Sequence, residues 1–238
     1  MPTDIQHQVM GYDRTATMFS PEGHLLQVEY AERTVRLGSS SIGIVCSDGV
    51  LILADKRLND KLLIPKSLSK IYEVDDHVIS TAAGISSDAR ILIEKAQLIA
   101  QQHKVTYDSP IEPEMVIKEI ANVKQMFTQY GGARPFGVSV MIAGINKEKP
   151  EVYVSDVTGN YFSYTAGVIG ENDERIKEKL REYYKLGTVE EGIRLGLRIF
   201  KEIQEKNFDI NRFEASFIDK DNINIVRLDG EKLKKYIK

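Results

Sequence analysis

The chain has 238 residues and a mass of 26.9 kDa, and its 32 basic against 35 acidic side chains give a formal net charge of −3. This balance argues against nucleic acid as the main partner, and no stretch approaches the roughly 20 consecutive apolar residues of a membrane helix. A single cysteine, Cys46, and four dispersed histidines exclude a disulfide framework and disfavour a zinc site, so we expect a cytoplasmic protein without metal or cofactor.

The N-terminal region predicts a tail followed by a helix. Residues 1–11 are aperiodic and typical of a mobile tail. The segment Ser20-Pro21-Glu22 predicts a helix start, because serine caps helices, proline suits the first helical position and glutamate favours the positive end of the dipole. Apolar residues at helical spacing extend this helix over 20–37, and Gly38 is a natural stop.

From Ser40 onward, strand hairpins alternate with pairs of helices. The hairpin signals include Asp48-Gly49, and Thr188 is the expected cap of the last long helix. The predicted strands are 42–46, 50–54, 71–74, 77–82, 136–145, 151–156, 161–168, 213–219 and 223–228. The predicted helices are 86–104, 113–130, 171–185 and 188–206, with a short one within 230–238.

This order of elements predicts an α+β fold. Hairpin-linked strands imply antiparallel sheets, and helices that arrive in pairs each cover one sheet face. Two stacked sheets between two helix layers satisfy both constraints, so we expect a four-layer αββα sandwich. We expect the sandwich domain at 38–238 and a tail with an N-terminal helix at 1–37.

A conventional active site is absent from the sequence, which lacks the nucleophile-elbow, Walker A, zinc-protease and dinucleotide-binding fingerprints. Cys46 lies within a strand and is expected to be a small buried residue. Two segments contain residues that a capped helix and an ordinary loop do not explain. They are Tyr12-Asp13-Arg14 with Phe19-Ser20-Pro21-Glu22-Gly23-His24-Leu25-Leu26-Gln27-Val28-Glu29-Tyr30-Ala31, and Gln129-Tyr130-Gly131-Gly132-Ala133-Arg134-Pro135-Phe136-Gly137.

Together these segments resemble the α-subunit family of the archaeal proteasome core particle, from about Tyr12 to the end of the chain. The first segment marks α subunits against β subunits. The resemblance implies the sandwich fold of the N-terminal-nucleophile hydrolases, in agreement with the order of elements. It further implies a homoheptameric outer ring that assembles with β subunits, binds a regulatory AAA+ ATPase and passes unfolded protein substrates.

The resemblance also implies that the chain is not itself an enzyme. In active subunits of this fold, a threonine after a glycine becomes the new N-terminus by self-cleavage, and its free α-amine acts as the base. Ser39 occupies the matching place, but an α subunit keeps its extension, so the nitrogen of residue 39 stays an amide. Two alternatives stay open: a self-processing hydrolase cleaved between Gly38 and Ser39, and an adaptor without proteolytic partners.

Residue by residue, the resemblance implies three functional clusters. A gate that orders the tail Met1–Gly11 is formed by Tyr12, Asp13, Pro21 and Tyr30. The carboxylate at the C-terminus of the ATPase is received by Lys70, with help from Gly38 and Glu29. The axial channel is lined by a loop containing Tyr130, Gly131, Gly132, Arg134, Pro135 and Gly137.

Three departures from the family pattern affect the packing around these clusters. Ser69 stands before Lys70 where an acidic residue is frequent, which removes one possible partner of the lysine. Val157 replaces a common proline in a turn, and Glu32-Arg33 changes a pattern that often carries an inter-subunit ion pair.

Overall fold

The structure, a computed structural model, describes residues 11–57 and 62–237. The side chains of Asp13, Pro65 and Lys66 lie outside the described residues. The helices are α1 (Leu26–Leu37), α2 (Ser86–Tyr107), α3 (Pro113–Gln129), α4 (Asp173–Tyr183), α5 (Val189–Gln204) and α6 (Gly230–Leu233). The strands are β1 (Ser41–Val45), β2 (Gly49–Asp55), β3 (Ile71–Asp75), β4 (Val78–Gly84), β5 (Val138–Asn146), β6 (Lys149–Ser155), β7 (Tyr161–Tyr164), β8 (Ala166–Ile169), β9 (Phe213–Asp219) and β10 (Ile225–Asp229).

The strands form two antiparallel sheets of five strands each. The first sheet has the order β10-β9-β2-β1-β8, and the second has the order β3-β4-β5-β6-β7. The predicted Asp48-Gly49 hairpin is confirmed, with Val45 paired to Val50. Glycine is required at position 49, because a Cβ atom there would lie 2.2 Å from the carbonyl oxygen of Ile218 on β9.

Three apolar layers hold the sandwich together, and they confirm the predicted αββα order. The central layer lies between the two sheets and includes Ile52, Ile79 and Met141, each fully buried. Helices α4 and α5 pack on the outer face of the first sheet through residues such as Ile176 and Phe200. Helices α2 and α3 cover the second sheet through a separate apolar cluster.

The predicted start of the N-terminal helix is wrong. Residues from Ser20 to His24 form a tight turn, in which Ser20 Oγ accepts from the backbone N–H of His24 at 3.1 Å. Gly23 adopts a left-handed conformation with φ 85°, which does not continue a helix. Serine therefore stabilises a local turn of the kind that competes with helix, and α1 begins six residues later, at Leu26.

The single strand predicted at 161–168 is also wrong. The chain pairs with the second sheet as β7, passes Thr165, and pairs with the first sheet as β8. Alternation of apolar residues cannot show such a change of sheet, because both halves are extended. The predicted cap of α5 is confirmed: Thr188 and Glu191 form a reciprocal capping box. In the described ranges, no helix is both long and apolar enough to cross a membrane.

Candidate functional site

The four predicted gate residues lie on consecutive segments at the beginning of the described chain. Tyr12 and Asp13 belong to a 3-10 helix, Tyr12–Arg14, and Tyr12 is half-buried. Pro21 is exposed in the turn before α1. Tyr30 lies on α1, with the guanidinium carbon of Arg33 5.5 Å from its ring centre. Contacts among the four stay a prediction, since the Asp13 side chain and most of the tail, residues 1–10, lie outside the described residues.

The predicted docking lysine lies where α1 meets the sandwich. Lys70 immediately precedes β3, and its Nζ donates to the carbonyl oxygen of Ser39 and lies 3.4 Å from Oγ of Ser41. The structure therefore brings Lys70 onto the segment that follows Gly38. Glu29, the third predicted docking residue, lies on α1 with its Oε1 2.5 Å from Nδ1 of His24.

Gly38 links α1 to the sandwich through its backbone. Its N–H donates to Val35 at 3.0 Å, and its carbonyl accepts from the N–H of Glu171 at 2.8 Å. A Cβ atom at this position would lie 2.4 Å from the backbone nitrogen of Gly84, so only glycine allows this approach. Arg57 adds an ion pair with Glu171 and donates to the carbonyl of Leu37 at 3.0 Å. The end of α1 is thus held by residues that follow β2 and β8 of the first sheet, and it lies against the end of β4 of the second.

The amine of Lys70 has a pKa near neutral pH. Burial lowers its pKa from the ordinary value to about 7. The carboxylates of Asp55 and Glu214 oppose this shift, and the guanidinium of Arg57 adds to it. A carboxylate that arrived beside this amine would favour the ammonium form, because an opposite charge raises the pKa of a lysine.

The predicted channel loop leaves the C-terminus of α3 and is held at its far end. Tyr130 is 65% exposed, and a Cβ atom at Gly131 or Gly132 would meet no atom within 4 Å. Arg134 donates two hydrogen bonds, of 2.6 and 2.7 Å, to the two carboxylate oxygens of Asp88 on α2. Its Nη1 also donates to the carbonyl of Pro135. The tip of the loop is therefore open, while its base is a bidentate ion pair.

Asp88 is a site residue that the sequence reasoning missed. Its Oδ2 also accepts from the backbone N–H of Gly137 at 3.0 Å, and the residue is 7% exposed. The hydrogen bond from Arg134 is the main cause that holds the pKa of Asp88 below its ordinary value. An acidic residue in the first turn of a predicted helix carries no signal of a partner 46 residues away.

Helix α1 contacts the channel loop directly. The Thr34 hydroxyl lies 2.8 Å from the carbonyl oxygen of Gly137 and 2.7 Å from that of Ala31 on α1, and the N–H of Ile85 donates to the Gly137 oxygen at 2.9 Å. A Cβ atom at residue 137 would lie 2.6 Å from Thr34 Oγ1. The glycine that ends the Arg134-Pro135-Phe136-Gly137 segment therefore allows the close approach of α1.

Lys124 connects the same helix α3 to the turn after β6. It is fully buried, and its Nζ donates to the carbonyl and hydroxyl of Ser155 and to the carbonyl of Asp156, at 3.0–3.3 Å. Burial lowers the pKa of Lys124 to about 7. Val157, next in the turn, packs against Val28 on α1. Lys124 follows Ile120 by four residues, a helical spacing that places the lysine on the buried face of α3.

The described residues contain no candidate metal centre, and their one cysteine is buried. No group of three His, Cys, Asp or Glu side chains within 11–57 and 62–237 is arranged to hold a metal ion. Cys46 lies directly after β1 and is 2% exposed. Burial raises the pKa of its thiol to about 12, so the thiolate is strongly disfavoured at neutral pH.

Comparison with known proteins gives one consistent result. A family model described as "Proteasome subunit" matches residues 35–218, and a model of the N-terminal signature of A-type proteasome subunits matches residues 12–33. The chain is 39% identical over 228 residues to "Proteasome subunit alpha" of Pyrococcus horikoshii, covering 95% of this chain and 87% of the relative. It is 39% identical to that of Archaeoglobus fulgidus (96% and 93% covered) and 42% identical to that of Methanocaldococcus jannaschii (84% and 78%). The chain belongs to the proteasome subunit family and, within it, to the archaeal α subunits.

Proposed function

We propose that this chain is a non-catalytic α subunit that forms the outer heptameric ring of a proteasome core particle in the cytoplasm. In this role, residues 1–37 are the gating part and residues 38–238 form the ring. The ring admits unfolded proteins to β subunits, which carry the active sites, and it receives a regulatory AAA+ ATPase.

The observation that carries the docking role is the position of Lys70. Its amine lies at the junction of α1 with the sandwich, in contact with Ser39 and Ser41. A lysine with a pKa near neutrality, held by neutral oxygen acceptors, gains a charge partner when a carboxylate arrives. The C-terminus of a polypeptide supplies such a carboxylate.

The non-catalytic role is supported by the residues around Ser39. Helix α1 ends at Leu37, and the chain continues in extended form through Gly38 to Ser39, whose nitrogen is a peptide amide in this chain. A serine hydroxyl without a base is a poor nucleophile at neutral pH.

The gating role is supported by the coupling of α1 to the channel loop. Thr34 joins the helix to Gly137, and Val28 joins it to the turn held by Lys124. A rearrangement of the segment before α1 therefore acts on an element that contacts the base of the channel loop.

Native mass spectrometry on the purified chain, followed by dissociation to the subunit mass, tests the proposal. One heptamer or a pair of heptamers, built from chains that retain residues 1–38, is the expected result. A chain that begins at Ser39 would contradict it and favour the self-processing alternative.

In the assembled particle, Lys70→Ala is expected to abolish stimulation of peptide hydrolysis by an archaeal regulatory ATPase. Deletion of Met1–Gly11 is expected to raise degradation of casein without an activator.

A further inference from the structure

The loop that carries Lys70 is anchored by a carboxylate from the other sheet. Glu214 lies on β9 of the first sheet, whereas Lys70 precedes β3 of the second. Oε1 of Glu214 accepts the backbone N–H of Lys70 and, at 3.0 Å, that of Ile71, while its Oε2 lies 3.1 Å from the Ser69 hydroxyl. Three consecutive residues thus donate to one carboxylate group.

This anchor fixes the backbone of the lysine rather than its amine. Two backbone N–H bonds to one charged acceptor define both the position and the direction of the chain at residues 70 and 71. The Nζ atom of Lys70 is then held at the opposite end of the side chain by the Ser39 carbonyl. A lysine has four rotatable side-chain bonds, so the position of its ammonium is well defined only when both ends are held, the backbone by Glu214 and Nζ by the Ser39 carbonyl.

The anchor also brings a negative charge close to Lys70. The preceding residue, Ser69, has an uncharged side chain. Glu214 supplies a carboxylate to the same three residues from a strand that is 144 residues away in sequence. Its negative charge raises the pKa of Lys70 against the effect of burial.

We propose that Glu214 is the positioning residue of the docking lysine: its carboxylate fixes residues 69–71 and thereby aims Lys70 Nζ at the carboxylate of the activator. This inference rests on the proposed docking role of Lys70. Glu214 does not itself contact the incoming carboxylate.

The neighbouring pair of Arg227 and Glu73 provides a matched control. Arg227 Nε donates to Glu73 Oε1 at 2.9 Å, so this pair also joins β10 of the first sheet to β3 of the second. Glu73→Gln removes a carboxylate from β3, the strand that Lys70 precedes, and Glu73 accepts none of the hydrogen bonds that residues 69–71 donate to Glu214. Its partner Arg227 reaches this segment only through a long contact, 3.4 Å from Nη1 to the Ser69 hydroxyl. A purely structural role of the sheet-to-sheet contacts would make the two glutamate variants alike.

The experiment measures how the assembled ring binds a labelled peptide that copies the C-terminus of the regulatory ATPase. The peptide is used with a free α-carboxylate and with a C-terminal amide, and the ratio of the two affinities reports recognition of the carboxylate. Glu214→Gln is expected to lower this ratio about tenfold, the effect of one charge-assisted hydrogen bond. Glu73→Gln is expected to leave it unchanged. In a Lys70→Ala background, Glu214→Gln is expected to have no further effect.

The pH profile gives a readout that a structural role does not move. Since Glu214 raises the pKa of Lys70, Glu214→Gln is expected to shift the pH at which carboxylate binding is half lost to a lower value. If Glu214→Gln does not fold, Glu214→Asp replaces it. Glu214→Asp keeps the charge on a shorter side chain, and is expected to weaken carboxylate binding with little change in that pH.

Two results would overturn the inference. One is an equal loss of carboxylate and amide binding in Glu214→Gln; the other is an equal effect of the Glu73 and Glu214 variants. Failure of the proposed docking role is separately visible, because Lys70→Ala alone would then leave the affinity ratio unchanged. Native mass spectrometry of each variant confirms that the ring is assembled.

Discussion

Replacing Asp88 by asparagine tests whether the base of the predicted channel loop is held by charge. The asparagine side chain keeps one oxygen to accept the Gly137 N–H, but it places an amide NH2 against the guanidinium of Arg134. The wild-type carboxylate accepts three hydrogen bonds of 2.6–3.0 Å and is 7% exposed. A hydrogen bond to a charged group contributes about 1.5–3 kcal/mol, and exposure of the Arg134 side chain (58%) reduces its share. We expect a loss of about 2 kcal/mol.

Thermal unfolding of the two proteins in the same assembly state measures this loss. For a chain of this size, about 2 kcal/mol corresponds to a fall of about 4–8 °C in the midpoint. Asp76→Asn is the control, since Asp76 is an exposed acid whose side chain lies 3.4 Å from Lys104. The control is expected to change stability by less than about 0.5 kcal/mol, as is usual for surface positions.

The dependence on pH separates the charge of Asp88 from its shape. Because the folded-state pKa of Asp88 is lowered, its contribution is fully present above the unfolded pKa of about 3.9 and is lost as pH falls through the folded value. The difference between wild type and Asp88→Asn should therefore shrink in acid. A difference below about 0.5 kcal/mol at pH 7, or one that does not change in acid, would refute the reasoning.

Three further predictions concern two lysines and a helix cap. Only the ammonium form of Lys70 attracts a carboxylate, so the affinity for the ATPase peptide should fall about tenfold per pH unit above about pH 7. Lys70→Arg should remove this pH dependence of the affinity, and a pH profile equal to that of the wild type would contradict the prediction. The pKa of Lys124 is also about 7, so the folded state holds fewer protons than the unfolded state between about pH 7 and 10 and gains stability as pH rises. Denaturant unfolding at pH 7 and pH 9 should show a smaller gain in Lys124→Met, whereas an equal gain would exclude Lys124 as a source. Thr188→Ala should cost about 1 kcal/mol of unfolding free energy through loss of the capping box, and no measurable change would contradict this.

Signals that are local in sequence predicted their elements well. The hairpin at Asp48-Gly49 and the cap at Thr188 depend on residues within a few positions, and both are confirmed. The predicted start of α1 is wrong although its signal is also local, because a serine-proline segment suits both a helix start and a tight turn. The choice between them depends on Gly23, which adopts a left-handed conformation.

The residues that the sequence reasoning missed act across long separations. Asp88 and Glu214 bind donors that are 46 and 144 residues away, and pairing of this kind leaves no periodic trace in one sequence. Lys124 differs from these two acids, because its helical spacing from Ile120 is a sequence signal for the buried face of α3. Lysine at such a position is normally taken as solvent-exposed, and it is the acceptors on Ser155 and Asp156 that allow burial.

The passage of the chain through Thr165 makes the two long sides of the sandwich mechanically unequal. On that side, β7 and β8 are edge strands of different sheets joined by one residue, so a covalent link prevents the sheets from separating. On the opposite side, the edges β3 and β10 are joined by side chains, among them Glu73 with Arg227. The ion pair on this second side is weakened by salt, whereas the covalent link on the first side is not. Lys70 immediately precedes β3 on this second side, so its position depends on side-chain contacts between the sheets rather than on a covalent link.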